Sequence, residues 1–268
     1  GLRGNLLVVS TVMVLIILGG IGHPVVIELW ERFRLRRGRV RSRPARLSLN
    51  TLVALSASGV LVGGGAVLLF LVGLSPEAGT WSSRIFAALF QSVTARTAGF
   101  NTVDIGSLPL GSLFLLILLM FVGGSPGSCA GGIKTSTAAL WMAKLRGRLR
   151  GQKWPRLFGR HIPGDLSRRA SMIIGLAVLW NLLGILLLLV TEQRTPGLGM
   201  HEVIFEQISA FGTVGLSTGL TPDLSIPGRL WIIATMYIGR LGPLTLAVWI
   251  ASPRASGIRY PEGRIMVG

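Results

Sequence analysis

Two short segments of the chain have the residues needed to bind a dehydrated cation through main-chain oxygens. They read Thr97-Ala98-Gly99-Phe100-Asn101-Thr102 and Thr213-Val214-Gly215-Leu216-Ser217-Thr218. Glycine tolerates the dihedrals that turn successive carbonyls the same way, and such carbonyls replace the water around a cation without a fixed charge. The pattern predicts two filter loops, in which the ion ligands would be the carbonyls of Thr97, Ala98, Gly99, Phe100, Thr213, Val214, Gly215 and Leu216.

The two segments belong to a longer internal repeat. Residues 91–102 and 207–218 align without gaps and match at glutamine, threonine, glycine and the final threonine. One such motif in a membrane protein more often marks helix packing or a turn, whereas two aligned copies indicate a duplicated element. The uncharged stretches at residues 85–95 and 207–222 are too short to cross a bilayer, so we predict that each forms a re-entrant pore helix with its filter.

The stretches around these segments are long and apolar. Half of the residues are hydrophobic and only 14% are charged, and a helix needs about 20 apolar residues to cross a bilayer. Four uncharged runs reach that length and a fifth contains Arg240; the five are residues 5–27, 47–76, 105–133, 170–191 and 230–252. We therefore predict an all-α membrane protein with five transmembrane helices plus two re-entrant pore helices that carry selectivity-filter loops.

Positive charge is concentrated between the apolar runs. The chain has 27 Lys and Arg against 10 Asp and Glu, and 20 of the 27 lie within residues 32–46, 144–169 and 253–268. A basic excess in a soluble protein suggests nucleic acid, but cytoplasmic loops of membrane proteins also collect Lys and Arg. These positions favour the second interpretation. We therefore expect the protein to contact membrane lipid and not to bind nucleic acid. The same positions predict a multi-pass protein of the inner or plasma membrane, with basic loops and C-terminus cytoplasmic and filters facing outward.

The repeat divides the chain into three parts. Residues 1–46 would hold the closing helix of an incomplete preceding repeat and a basic loop, and residues 47–168 and 169–268 would each hold a span, a pore helix, a filter and a second span. The middle part contains a glycine-rich segment at residues 123–132 with one proline. Glycine costs about 1 kcal/mol and proline about 3 kcal/mol in a helix interior, so the segment predicts a break in its span. Such a break should line a cavity beneath the filter.

The sequence offers little for catalysis. Cys129 is the single cysteine, and three scattered histidines have no metal-ligand spacing. The segment 127–135 approaches a phosphate-binding loop, but Ile133 separates Gly132 from Lys134 and no strand is predicted before it. We therefore predict that the protein is not an enzyme and has no cofactor.

Three motifs carry a resemblance to a known family. Residues 91–102, 209–217 and 124–135 resemble the Trk/Ktr/HKT superfamily of cation transporters. Residues 125–128, 239–243 and 259–263 look most like the membrane subunit of bacterial Ktr potassium uptake systems. The resemblance covers essentially the whole chain.

The resemblance implies passive K+ transport through a gated pore made of four such repeats. A sodium or non-selective cation transporter, with Na+ as a coupling ion in some relatives, is the alternative, and a non-transporting membrane scaffold is a more remote one. The family also implies a homodimer controlled by a cytosolic nucleotide-binding subunit with Rossmann-like domains. By this comparison the chain corresponds to the third and fourth repeats, with residues 5–29 closing the second. We therefore expect part of a longer protein that retains its C-terminus.

The resemblance also assigns the glycine-rich segment to an intramembrane loop that obstructs the pore. The expected gate residues are Gly123, Gly124, Ser125, Gly127, Ser128, Gly131, Gly132, Lys134 and Arg240. Arg240 is expected to hold loop carbonyls or to set a barrier for cations, unless it pairs with a buried acid or snorkels. For Lys134 the alternative role is an interfacial anchor. Arg96 and Glu206, which flank the predicted pore helices, are candidates for an ion pair.

Overall fold

The computed structural model describes residues 5–37, 46–74, 80–152, 156–193 and 198–242. Within these ranges the chain is mostly helical, as predicted, with a single β-hairpin in which Arg156 pairs with His161. In chain order the elements are α1 Leu6–Ile21, α2 His23–Arg37, α3 Leu49–Val72, α4 Trp81–Thr94, α5 Leu110–Phe121, α6 Thr135–Leu149, β1 Arg156–Leu157, β2 Arg160–His161, α7 Gly164–Thr191, α8 Met200–Gly212 and α9 Ile226–Leu241.

Only some of the predicted spans appear as single helices. Among the described residues, α3 with 24 residues and α7 with 28 are long and apolar enough to cross a bilayer. Helices α1 and α2 meet that requirement only as a pair, and the pair is bent by 100°. The run predicted as one span, residues 5–27, is therefore not a single straight helix. The chain turns at Gly22, which has a φ of 93°, and Pro24 follows with no N–H to donate.

The break predicted within residues 105–133 is present. Helix α5 ends at Phe121 and α6 begins at Thr135, and the chain between them is not helical. The fifth apolar run also behaves differently from one continuous span, because α9 ends at Leu241 and Gly242 follows with a φ of 90°. Residues 243–252 and the closing segment 259–268 lie outside the described residues.

The basic blocks are largely helical where they are described, although they were predicted as loops. The first block continues α2 as far as Arg37, and the second occupies the end of α6, the hairpin and the start of α7. Lys and Arg have good helix propensity, so a basic composition does not by itself end a helix.

The start of three helices is fixed by side-chain caps. The Asn5 side chain accepts hydrogen bonds from Leu7 and Val8 N–H, Ser48 Oγ accepts from Thr51 N–H at 3.2 Å, and Ser225 Oγ accepts from Gly228 N–H at 3.3 Å. Each cap satisfies a donor that the helix cannot. The caps therefore set the first residues of α1, α3 and α9.

The largest hydrophobic core lies around α5. Leu116 and Met120 of α5 are fully buried against Leu69 of α3 and Phe205 of α8. The same cluster includes Val214 and Leu216, which belong to the predicted second filter. Further clusters join α8 to α7 and α9, and α4 to α1. The two short helices α4 and α8 are thus held inside the bundle.

Gly65 of α3 packs closely against Ser92 of α4, and we predict that Gly65→Ala destabilises the fold. A Cβ there would lie 2.5 Å from Ser92 Oγ and 2.9 Å from Leu119 Cδ1, and overpacking typically costs about 1–3 kcal/mol. The neighbouring Gly64 has no atom within 4 Å of such a Cβ, so Gly64→Ala is the matched control. Thermal unfolding of the purified full-length protein should show a lower midpoint only for Gly65→Ala. Equal midpoints for the two variants would contradict this packing.

Candidate functional site

Two short buried helices lead into the predicted filter loops. Helix α4 has 14 residues and α8 has 13, and both begin earlier than the uncharged stretches suggested. Their first turns carry the polar residues Arg84 and Glu202, so a lack of charge was too strict a rule for finding their starts. The first filter loop, residues 97–100, and the second filter loop, residues 213–216, follow the helix C-termini. The partial negative charge at a helix C-terminus favours a cation there.

The two filter loops share an alternating backbone. Thr97 and Gly99 have φ values of 68° and 75°, and Thr213 and Gly215 have 51° and 92°. The intervening residues Ala98 and Val214 do not have positive φ. Left-handed residues are uncommon outside glycine, so their occurrence at equivalent threonines indicates a shared, constrained geometry. The repeat seen in the sequence is therefore also a repeat of backbone conformation.

The carbonyls of the filter loops fall into two groups. The Phe100 carbonyl accepts from Thr94 Oγ1 at 2.8 Å, and the Leu216 carbonyl accepts from Ser209 Oγ at 2.6 Å. The first three carbonyls of each loop accept no hydrogen bond from any residue that the structure describes; they belong to Thr97, Ala98, Gly99, Thr213, Val214 and Gly215. Phe100 and Leu216, which were also predicted as ion ligands, therefore differ from the other six in that their carbonyls accept a hydrogen bond from a pore-helix hydroxyl.

The two loops approach each other directly. A Cβ on Gly99 would lie 2.4 Å from the Val214 carbonyl oxygen and 3.2 Å from Gly215 Cα. A Cβ on Gly215 would lie 3.6 Å from Gly99 Cα. The loops are therefore neighbours, with main chain facing main chain, and a side chain at Gly99 has no room.

The glycine-rich loop, residues 122–134, packs against the threonine ends of both filter loops. A Cβ on Gly131 would lie 2.3 Å from Thr213 Oγ1, and one on Gly123 would lie 3.6 Å from Thr97 Cγ2. The ends of the loop are joined by Gly123 N–H donating to the Ile133 carbonyl at 2.9 Å. The loop thus lies next to Thr97 and Thr213, the first residues of the two filter loops.

Three cationic side chains hold carbonyls of this loop. Arg96 donates to the Gly123 carbonyl at 3.4 Å, Lys134 Nζ donates to the Ala130 carbonyl, and Arg240 donates to the Cys129 carbonyl. A contact of Arg240 with loop carbonyls was one of the alternatives that the sequence left open for it. Arg96 makes no ion pair with Glu206, so that predicted pair is wrong. Glu206 instead accepts from residues 217, 218 and 221, on the far side of the second filter loop.

The hinge between α1 and α2 is tied to the same loop through the backbone. Ser125 N–H donates to the Gly20 carbonyl at 2.9 Å, and His23 N–H donates to the Gly127 carbonyl at 3.1 Å. Ser125 Oγ also lies 2.9 Å from Thr135 Oγ1 at the start of α6. Any displacement of α2 would therefore strain the loop. Sequence alone gave no sign of these bonds, because they join main-chain groups about 100 residues apart.

The remaining glycines of the loop are equally confined. A Cβ on Gly124 would lie 2.7 Å from Ser128 Oγ, and one on Gly132 would lie 3.3 Å from Gly212 Cα. Gly127 has a φ of 76° and packs on Pro24. A cavity of about 270 Å³ separates part of the loop from the first filter; Thr97, Ala98, Cys129 and Ala130 line it together with α1 and Arg96.

We predict that Gly22→Ala loosens the glycine-rich loop. Gly22 has a φ of 93° and a ψ of 139°, and a Cβ there would lie 2.6 Å from the Pro126 carbonyl oxygen. Gly73 has nearly the same dihedrals, 97° and 134°, with no atom within 4 Å, so Gly73→Ala controls for backbone strain. Cys129 is already exposed, so the measurement is the rate of maleimide labelling of a cysteine placed at the buried Ser125 in the full-length protein, with all native cysteines replaced by serine. Gly22→Ala should raise this rate by about threefold or more through local opening. A rate no higher than that of Gly73→Ala would contradict the tether.

Known proteins are similar to the chain in sequence and in fold. It is 35% identical to the potassium/sodium uptake protein NtpJ of Enterococcus hirae, over 98% of this chain and 58% of that protein. It is 37% identical to the Ktr system potassium uptake protein B of Bacillus subtilis, over 95% of this chain and 55% of that protein. The chain thus spans a little over half the length of these curated relatives.

The fold agrees with the sequence relationship. The crystal structure of the potassium transporter TrkH from Vibrio parahaemolyticus superposes with a TM-score of 0.68, at 18% identity, over 89% of this chain and 50% of that one. The profile of the TrkH family, described as cation transport protein, matches residues 3–258. On this match, and on the relatives above, the chain belongs to the TrkH family of cation transport proteins.

Proposed function

We propose that the chain forms part of the pore of a potassium uptake protein and conducts K+ passively. The observation that carries the proposal is the pair of filter loops, each with three successive carbonyls that accept no hydrogen bond from the described residues. Carbonyl oxygens without a protein partner are the groups that replace the hydration shell of K+ in a filter. The K+ ligands would be the carbonyls of Thr97, Ala98, Gly99, Thr213, Val214 and Gly215.

Sodium transport is the second candidate, and one relative favours it. NtpJ of Enterococcus hirae is named a potassium/sodium uptake protein. Carbonyl rings of similar composition serve both ions, and selectivity is set by cavity size or by the number and field strength of the coordinating carbonyls. Potassium is proposed first because relatives of the Ktr system are named potassium uptake proteins.

The membrane arrangement is part of the proposal. In it the filters face outward and the basic blocks are cytoplasmic. The chain has five spans, of which the first is bent at Gly22 and the third is broken between α5 and α6, together with two pore helices and boundaries at residues 46 and 168. The protein acts as a homodimer with a cytosolic nucleotide-binding subunit. The relatives named as proteins of a Ktr system support a membrane component of a larger assembly. A phosphate-binding role is disfavoured, because helix α5 and not a strand precedes residues 127–135.

The glycine-rich loop is the gate in this proposal. It lies against the threonine ends of both filters and is held by Arg240 through the Cys129 carbonyl. A positive charge next to an ion pathway also raises the barrier for cations. Opening requires the loop to leave this position, and Arg240 must then release its carbonyl.

Substitution of the filter glycines tests the function. In a bacterium that lacks its own potassium uptake, the full-length gene should restore growth at low potassium. Gly99→Ala should abolish this rescue, because Gly99 has a φ of 75° and no room for a Cβ. Gly151→Ala is the control, since Gly151 has a φ of 65° with no atom within 4 Å. No rescue by the parent gene, or full rescue by Gly99→Ala, would refute the proposal.

Neutralising Arg240 tests the gate. We expect Arg240→Gln to raise cation flux through unstimulated protein in liposomes by about fivefold or more, because a charged donor to the loop and a cationic barrier are both lost. Arg229→Gln is the control on the same helix, where the guanidinium donates to the Leu224 and Pro222 carbonyls. Flux of Arg240→Gln at or below that of Arg229→Gln would mean that Arg240 does not hold the gate closed.

A further inference from the structure

A buried carboxylate stands behind the second filter loop. Glu206 of α8 is only 5% exposed. Its oxygens accept from the Ser217 hydroxyl, from Thr218 N–H at 3.1 Å and from Thr221 Oγ1 at 2.9 Å. Ser217 directly follows Leu216, the last residue of the second filter loop. The carboxylate therefore fixes the chain as it leaves the filter, at the end away from the glycine-rich loop.

Glu206 has no cationic partner among the described residues. All of its donors are neutral hydroxyl or amide groups. Arg229, in the first turn of α9, donates to main-chain carbonyls instead. A fixed negative charge without a counter-ion, held in a medium of low dielectric, projects its field further than an exposed one. That field reaches cations approaching the adjacent end of the filter.

The first filter loop lacks this group. The position that corresponds to Glu206 in the first repeat, 116 residues earlier, is Phe90, which is buried in an apolar cluster. There the loop is fastened by Thr94 alone, whose hydroxyl contacts both the N–H and the carbonyl of Phe100 at 2.8 Å. Of the two repeats, therefore, the second alone has a carboxylate at this position.

The glutamines next to these two positions also differ, because only the one in the second repeat has hydrogen-bond partners among the described residues. Gln207 Oε1 accepts from Trp231 Nε1 at 3.1 Å, and its Nε2 lies 3.4 Å from Asn181 Oδ1. The equivalent Gln91 is buried, and neither of its amide atoms has a partner in the described part of the chain. Two successive residues of α8 thus have polar partners, Glu206 on the chain that leaves the second filter loop and Gln207 on α7 and α9, whereas Phe90 and Gln91 of α4 make no such bonds among the described residues.

We propose that Glu206 is a positioning residue of the second filter loop and supplies the fixed negative charge that draws cations to that end of the pore. The inference rests on the proposed cation transport. It assigns a role to a side chain that touches no unengaged filter carbonyl. It also makes the two repeats unequal, with ion entry favoured on the side of the second filter.

The test separates charge from support. Glu206→Gln keeps the size and an acceptor oxygen but removes the charge, whereas Glu206→Asp keeps the charge. A double variant, Ser217→Ala with Thr221→Val, keeps Glu206 and removes two of its donors. The control is Glu202→Gln, because Glu202 lies one turn earlier on α8 and accepts from Gly199 N–H at 2.9 Å. Potassium uptake by the full-length protein in liposomes is measured at low and at high concentrations of an impermeant salt.

For Glu206→Gln we expect KM for potassium to rise by about 3- to 10-fold at low ionic strength with little change in kcat, and the difference to shrink at high salt. Glu206→Asp should retain the low KM and Glu202→Gln should match wild type. The double variant should lower kcat or the preference for potassium over sodium without this salt dependence. A purely structural role would not produce an effect that salt removes.

Two failures can be told apart. If the wild-type protein moves a cation and Glu206→Gln has the wild-type KM at low ionic strength, or a raised KM that salt does not change, the inference on Glu206 is wrong and the transport function stands. If the wild-type protein moves neither potassium nor sodium, the proposed function fails and the inference fails with it. Should Glu206→Gln not fold, a raised, salt-independent KM in Glu206→Asp would overturn the inference.

Discussion

Six main-chain carbonyls without hydrogen bonds from the described residues are the constraint on which the rest of the structure depends. An unsatisfied polar group costs several kcal/mol in a bilayer, so the loops that carry them cannot face lipid. The short helices α4 and α8 keep the loops inside the bundle, and the core around α5 buries those helices. Thr94 and Ser209 fasten the far end of each loop, so that only the first three carbonyls remain free.

The same constraint explains why glycine is concentrated where the loops meet. A Cβ on Gly131 would lie 2.3 Å from Thr213 Oγ1, one on Gly123 would lie 2.0 Å from the Gly131 carbonyl oxygen, and one on Gly239 would lie 2.0 Å from the Phe211 carbonyl oxygen. Filter, glycine-rich loop and α9 therefore approach backbone to backbone. The glycines that follow the end of α5 at Phe121 also allow the loop to pack closely against the filter loops. The glycine-rich loop and the filter loops are consequently coupled by contact, since neither moves without changing the other's packing.

The sequence predicted the features that local chemistry determines. The repeated Thr-x-Gly pattern indicated the filter loops, and the glycine and proline content indicated the break between α5 and α6. It failed where the outcome depends on residues far apart in the chain. The 100° bend at Gly22 accompanies bonds from the hinge to residues 125 and 127, and Arg96 and Glu206 find carbonyl and hydroxyl partners instead of each other. Nor does composition show that the carbonyls of Phe100 and Leu216 accept hydrogen bonds, because that depends on hydroxyls six or seven residues earlier.

The geometry of the two loops limits what they can do by themselves. In the proposed filter, each layer of carbonyls would contain one oxygen from each loop. Two neighbouring loops, with Gly99 against Gly215, would therefore supply two oxygens to a layer, whereas a filter of this kind uses a ring from four loops. On that proposal the remaining oxygens would come from outside residues 97–100 and 213–216. Because the first and second loops are braced differently, with Phe90 behind one and Glu206 behind the other, such a ring has no true fourfold symmetry.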